Sequence, residues 1–342
     1  MKYLITGGCG FVGSNIAARL IERGDDVTVF DNLSRVGGES NLCWLRSLGT
    51  VGFVHGDIRN TNDVEGLIRR LRPATIFHLA GQVAMTTSMN DPRKDFEINA
   101  LGSLNLLESA RAHTPKASII YSSSNKAYGD LGGLRLVETE TRYTAPDHPE
   151  GIDETMPLDF HTPYGCSKGA ADQYMLDYAR SFGLNTVVFR HSTIYGGRQF
   201  ATFDQGWVGW FCREALQAKN NPGRDPFTFS GDGKQVRDLL YVDDAVDCYL
   251  AAARNIEAAR GHAFNVGGGM ANSSSLLELF ALLENKLETE LCRKQLPWRH
   301  DDQKFFVANN AKAAGLIGWK PQVPRDTGID RMLAWVGECL NT

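Results

Sequence analysis

The stretch TGGCGFVG at residues 6–13 limits what this chain can fold into more than any other. It stands between an apolar run, KYLITG (2–7), and an amphipathic segment, GSNIAARLIERG (13–24), that stops at Gly24. A buried strand that turns on glycines straight into a helix opens a βαβ unit. Gly7 permits the tight turn, Gly10 lets the backbone approach a pyrophosphate, and Gly13 allows the helix to pack closely on the sheet. The helix start then offers its unpaired amides and the positive end of its dipole to phosphates. Asp31 ends the next run, DVTVFD (26–31), where a carboxylate accepts hydrogen bonds from both ribose hydroxyls. It would repel a 2′-phosphate, so the pattern favours NAD over NADP, with Arg35 the nearby cation that could weaken that preference.

The alternation set up there continues. VGFVHGD (51–57), a helix over about 62–71, ATIFHLA (74–80), a long helix near 95–112, ASIIYSSS (117–124), a helix over about 164–182 and NTVVFR (185–190) follow in turn. HAFNVGG (262–268) reads as an outlying strand. Because the strand runs are apolar throughout, they predict a parallel sheet covered on both faces, an α/β doubly wound (Rossmann) fold. After residue 191 the alternation weakens: 192–235 is rich in Gly, Trp and Phe, and 270–342 reads as helices with short extended pieces. The expected organisation is therefore a dinucleotide domain, 1–191 plus about 237–268, and a smaller, discontinuous substrate domain, about 192–236 plus 269–342.

Composition removes several function classes. Of 342 residues, 42% are apolar, and the net charge of −4 is spread without long blocks, which leaves no electrostatic footprint for nucleic acid or an anionic membrane. No apolar run approaches the ~18 residues of a membrane span. The N-terminus lacks the pattern of a signal peptide. The seven cysteines (Cys9, Cys43, Cys166, Cys212, Cys248, Cys292 and Cys339) are scattered with no CxxC pair. They fit thiols in a reducing cytoplasm better than a disulfide frame or a zinc site, so no metal is expected.

The chemistry is expected from HTPYGCSKGAADQY (161–174), where Tyr164 and Lys168 stand four apart at the start of a helix and so share one face. Ligands of a doubly wound sheet gather at the carboxyl ends of the strands, and Ser122–Ser124 ends one of those strands. An ammonium near the phenol, with a positive nicotinamide close by, is expected to draw Tyr164 from its ordinary pKa of about 10 toward neutrality. Tyr164 then serves as general base on an alcohol, and Ser124 hydrogen-bonds the same oxygen. GDI (56–58) and LAGQV (79–83) end the third and fourth strands and are expected to touch adenine and line the cofactor channel. Trp207, Trp210 and Phe211 divide evenly between core and nucleotide pocket.

These motifs, together with DNLS (31–34), YSSSNKAYG (121–129), PYGCSK (163–168) and GDGKQVRDLLYVDD (231–244), resemble the extended short-chain dehydrogenase/reductase family over nearly the whole chain. HLAGQVAMTTS (78–88) and FRHSTIYGGRQFATFDQGWVGWF (189–211) resemble most closely a branch that epimerises a CDP-linked hexose at carbon 2. The resemblance implies Tyr164, Lys168 and Ser124 as the catalytic trio. It implies NAD contacts from Gly7, Gly10, Phe11, Val12, Gly13, Asp31, Asn32, Ser34, Asp57, Ile58, Leu79, Ala80, Gln82, Asn99, Ser122, Tyr164, Lys168 and His191. Substrate contacts are implied for Ser123, Ser124, Asn125, Thr193, Gln205, Trp207, Arg237, Arg299 and Asp302, and a homo-oligomer, dimer or tetramer, for the assembly. A 4-epimerase uses the same trio, and spacing does not choose the carbon. A 4,6-dehydratase needs an Asp–Glu pair where this chain has Asn125–Lys126, and a non-catalytic NAD sensor would have no need of the trio.

Overall fold

The computed structural model describes residues 1–221, 223–299 and 301–341. Its centre is a seven-stranded sheet in which every neighbouring pair is parallel. Strands β1 (Lys2–Thr6), β2 (Asp26–Asp31) and β3 (Gly52–His55) run outward to one edge. β4 (Thr75–His78), β5 (Ser118–Ser124), Asn185–His191 and His262–Val266 run outward from β1 to the other. The order reverses between β1 and β4, which opens a crevice beyond their carboxyl ends.

Side chains alternate across each strand, so both faces are apolar. Ile5, Val29, Phe77, Ile120 and Phe189 face a core shared with Ile16, Ala17 and Leu20 of helix α1 (Phe11–Glu22). Leu4, Phe30, Ile76, Ile119 and Val188 face the other side, with Val64, Leu67 and Ile68 of helix α3 (Thr61–Leu71). Each such side chain contributes about 1.5–3 kcal/mol by leaving water.

Three features depart from the sequence pattern. Helix α2 (Gly38–Leu48) follows β2 where no helix was marked. The expected helix over 95–112 is two helices, Pro92–Phe96 and Gly102–His113, joined by a π-helical turn at Glu97–Leu101. Within 237–268, only His262–Val266 joins the large sheet. Val236–Tyr241 pairs instead with Thr193–Tyr195, Ser273–Ser275 and Phe305–Phe306. A further pair, Phe227–Ser230 with Arg293–Leu296, stands beside it. No described helix is long and apolar enough to cross a membrane.

Candidate active site

The turn after β1 is shaped by its glycines. Gly7 has φ +69°, and a Cβ there would lie 2.7 Å from the Ala80 amide nitrogen. A Cβ on Gly13 would lie 2.2 Å from the Gly7 carbonyl oxygen, so only glycine lets α1 start this close to the strand. Gly10 caps α1 without a side chain, and a Cβ there would approach only the Gly7 carbonyl oxygen. The three glycines line a cleft together with Phe11, Val12, Asp31, Asn32, Ser34, Asp57, Ile58, Leu79, Ala80 and Ser122. The Asp31 carboxylate accepts from the Cys9 amide at 2.9 Å and the Leu33 amide at 2.8 Å, which leaves lone pairs for the two hydroxyls of a ribose. Asp57 is held by Arg59 and Asn32, and those bonds draw its carboxyl down to about 2. Cradle, anion-receptive helix start and ribose carboxylate in one cleft fit a dinucleotide.

A second cleft adjoins the first, and Val83 lines both. Ser124, Asn125, Tyr164, Thr193, Trp207, Arg237, Arg299 and Asp302 line it. Helix Thr162–Phe182 brings Tyr164 to its wall and buries Lys168 behind it. The Lys168 ammonium donates to the Ser122 carbonyl at 2.8 Å and lies 5.0 Å from the centre of the Tyr121 ring. A Cβ on Gly81 would stand 3.0 Å from that ammonium, so the glycine keeps the approach open.

Electrostatically, the pair differs from the sequence expectation. Burial pushes the Tyr164 phenol up to about 12. A hydrogen bond with Ser124 pulls against that rise, and the Asp95 charge adds to it. Burial outweighs the favourable Ser124 contact, so the phenol of the cofactor-free chain stands above its ordinary value, while the Lys168 ammonium donates to the Ser122 carbonyl. Burial likewise pushes Lys168 down to about 8, against the pull of Asp95. Asp95, 1% exposed, is held by Gln82 at 2.8 Å, by Asn99 at 3.3 Å and by the Ser167 hydroxyl.

Five expected contacts lie elsewhere. Ser123 points away from both clefts and donates to Asp172 at 2.8 Å, beneath a buried Asp172–Arg190 ion pair. Gln205 lines the first cleft, not the second. His191 bonds Tyr249 at 2.7 Å, lines neither cleft, and is kept neutral because burial lowers it to about 3. Gln82 and Asn99 exchange amide hydrogen bonds of 2.9 and 3.1 Å below Gly81 and brace the turn after β4. Phe211 is 6% exposed and packs its ring on Phe227 and Phe280, so core and cavity share it. The Trp207 indole donates to Thr193 at 3.1 Å.

The structure adds residues that the motifs did not mark. Arg198 lies 4.2 Å from the Trp44 ring and 4.8 Å from the Trp335 ring, and it walls the first cleft with Arg35 and Phe200. The loop 201–206 separates the two clefts, with Phe203 against Trp210 and under Arg299. Lys126 lines the second cleft. Asp130, His161 and Asp301 bring possible metal ligands within 4.8 Å of one another away from both clefts, but His161 already pairs with Asp159 at 3.1 Å.

A doubly wound sheet with a glycine cradle at its switch point and a Tyr–Lys–Ser group beside it defines an NAD-using oxidoreductase-type site. The chain belongs to the NAD dependent epimerase/dehydratase family, whose model matches residues 3–267. It is 58% identical over 335 residues to a CDP-paratose 2-epimerase of Salmonella typhi, covering 98% of this chain and 99% of that one. A UDP-glucose 4-epimerase of Mycolicibacterium smegmatis is 32% identical, with 96% of each chain covered. Among solved structures, a UDP-glucose 4-epimerase of Thermus thermophilus in complex with NAD superposes with a TM-score of 0.81 at 29% identity, covering 98% of this chain and 99% of that one.

Proposed function

We propose that this chain inverts carbon 2 of a CDP-linked hexose, in the manner of CDP-paratose to CDP-tyvelose, through a transient 2-keto sugar and with no net oxidation. The observation that carries the reading is the 58% identity, over nearly the full length of both chains, to a CDP-paratose 2-epimerase. The site geometry supports it, because Ser124 and Tyr164 open on the second cleft where it meets the first.

In this reading Gly7, Gly10, Gly13, Asp31 and Asp57 hold NAD in the first cleft, and the part of the chain formed by 1–191 plus about 237–268 carries it. NAD held there would supply the hydride acceptor for the sugar carbon and the hydride for its return. Ser124 and Tyr164 hold the carbon-2 oxygen between them. Tyr164 Oη takes the hydroxyl proton as the ketone forms and returns it once the sugar has presented its other face. Lys168, fixed by the Ser122 carbonyl, orients the ribose next to the reacting carbon and keeps positive charge beside the phenol. Arg299 and the aromatic wall of Trp207 and Trp210 hold the CDP from the part formed by about 192–236 plus 269–342, joined by Arg237 at the edge of the first part. Val83, Met85 and Phe203 keep water from the keto sugar. Asn125 and Lys126, which replace the carboxyl pair needed for elimination, support epimerisation over dehydration. The proposed setting is cytoplasmic, in keeping with free cysteines throughout, and the proposed assembly is a homo-oligomer.

The test is to incubate purified protein with CDP-paratose and other CDP-hexoses, without added NAD, and follow the sugar by NMR. Inversion at carbon 2 is expected. Inversion at carbon 4, or loss of water, would overturn the reading.

A further inference from the structure

Among the described residues that line the second cleft, Lys126 is a cation to which the reading above gives no part in holding the substrate. It sits two residues past Ser124, on the turn Asn125–Tyr128, and its amide donates to the Ser124 hydroxyl at 3.1 Å. The turn is thereby tied to the oxygen that hydrogen-bonds Tyr164. Its ammonium donates to the Asp301 carbonyl at 3.1 Å and stands 3.5 Å from Asp302 Oδ1. That same oxygen accepts from Arg237 at 2.8 Å, and Arg299 is a third cation acting on Asp302. Three cations therefore gather around this carboxylate, with Asp301 also acting on Lys126 and Asp238 on Arg237. The cleft's other acid, Asp204, is engaged by Thr202 at 2.7 Å.

Lys126, Arg237 and Arg299 all line this cleft, and cations gathered partly out of water on one wall favour a bound diphosphate. Burial pushes Lys126 down to about 8, against the pull of Asp302 and Asp301. A purely structural strut between the turn and residues 301–303 is redundant. Gln303 already ties them, accepting from Asn125 at 2.8 Å and donating to the Asn125 and Gly129 carbonyls at 3.2 and 2.7 Å.

The chemistry of the sugar gives this cation a purpose. Carbon 2 is bonded to the anomeric carbon that carries the phosphate, whereas carbon 4 lies across the ring. An enzyme that oxidises carbon 2 must bring the sugar-linked phosphate close to its base; one that oxidises carbon 4 keeps it a ring's width away. We propose that Lys126 binds the sugar-linked phosphate beside Ser124 and Tyr164, and so presents carbon 2 rather than carbon 4 to the base. This rests on the reading of the chain as a CDP-hexose epimerase.

The test uses Lys126→Met, which keeps length and removes charge, in the full-length protein with its cofactor. Calorimetric titration with CDP and with CMP isolates the terminal phosphate. Loss of a charge-assisted contact is expected to weaken CDP at least about tenfold while leaving CMP within about twofold. Turnover of the CDP-hexose at carbon 2 is expected to fall by at least about a hundredfold, with carbon-4 inversion appearing in what remains. Lys126→Arg is expected to restore the CDP-to-CMP ratio. An unchanged ratio in Lys126→Met, equal loss for both ligands, or undiminished carbon-2 specificity would overturn the assignment. If the wild-type protein fails to invert any CDP-hexose at carbon 2, the parent reading falls, while the affinity ratio still scores Lys126 by itself.

Discussion

Replacing Lys168 by Met should make the cofactor-free chain more stable at neutral pH while abolishing its activity. Lys168 is 2% exposed, and burial holds its ammonium at about 8 against an ordinary value of 10.5. That gap corresponds to about 3 kcal/mol by which the fold disfavours the charged form. Methionine fills nearly the same volume without the charge. It forfeits the charge-assisted hydrogen bond to the Ser122 carbonyl, which costs about 2 kcal/mol, so the net expectation is about 1 kcal/mol in favour of the variant. The direction with pH follows from linkage. Below about 8 both folded and unfolded chains carry the proton, and the wild-type fold bears the whole penalty. Between 8 and 10.5 the folded chain sheds its proton first, so the wild type gains stability and the variant's advantage disappears. Urea unfolding of both proteins, stripped of cofactor, from pH 7 to pH 10.5 reads this difference directly. A variant no more stable than wild type at pH 7, or an advantage that does not shrink as pH rises, would refute the reasoning.

Three further outcomes follow from the same site. Tyr164→Phe keeps the buried ring and should retain NAD, yet lose at least about 10²–10⁴ in turnover for want of a general base; near-normal turnover would remove Tyr164 from that role. Asp31→Asn keeps an acceptor for the Cys9 amide but loses the charge, so the ratio of NADP to NAD affinity, measured by titration of stripped protein, should rise at least about tenfold. Asp95→Asn can preserve the bonds to Gln82, Asn99 and Ser167 while removing a charge that raises both Tyr164 and Lys168. Both limbs of its pH–rate profile should therefore move to lower pH, and a profile that stays in place would make Asp95 a structural residue only.

What the sequence disclosed depended on how local each cause is. The β1–α1 turn is legible because its glycines answer contacts within the same few residues and one neighbouring strand. The register of the serine run is legible too, though only if strand alternation is followed strictly. Ser122 and Ser124 face the clefts and Ser123 must face away, toward Asp172. The break at Glu97–Leu101 has no local marker, because the π-helical turn serves a tertiary pairing of Asn99 with Gln82. The strand Phe227–Ser230 carries no local mark because it is four residues long and its partner, one of the short extended pieces after residue 270, is Arg293–Leu296, far along the chain. The phenol's upward displacement was missed for a similar reason. Spacing shows that Lys168 shares a face with Tyr164, but only the packed structure shows that the ammonium is bound to Ser122 and that Asp95 lies near both.

The central claim is that one hydrogen leaves carbon 2 as hydride and returns to the same carbon from within the closed site. The most direct measurement uses a CDP-hexose carrying deuterium at carbon 2, turned over in ordinary water with no NAD added. The account predicts an inverted product that retains its deuterium at carbon 2. Replacement of that deuterium by solvent hydrogen during inversion, or inversion at another carbon with carbon 2 untouched, would contradict it.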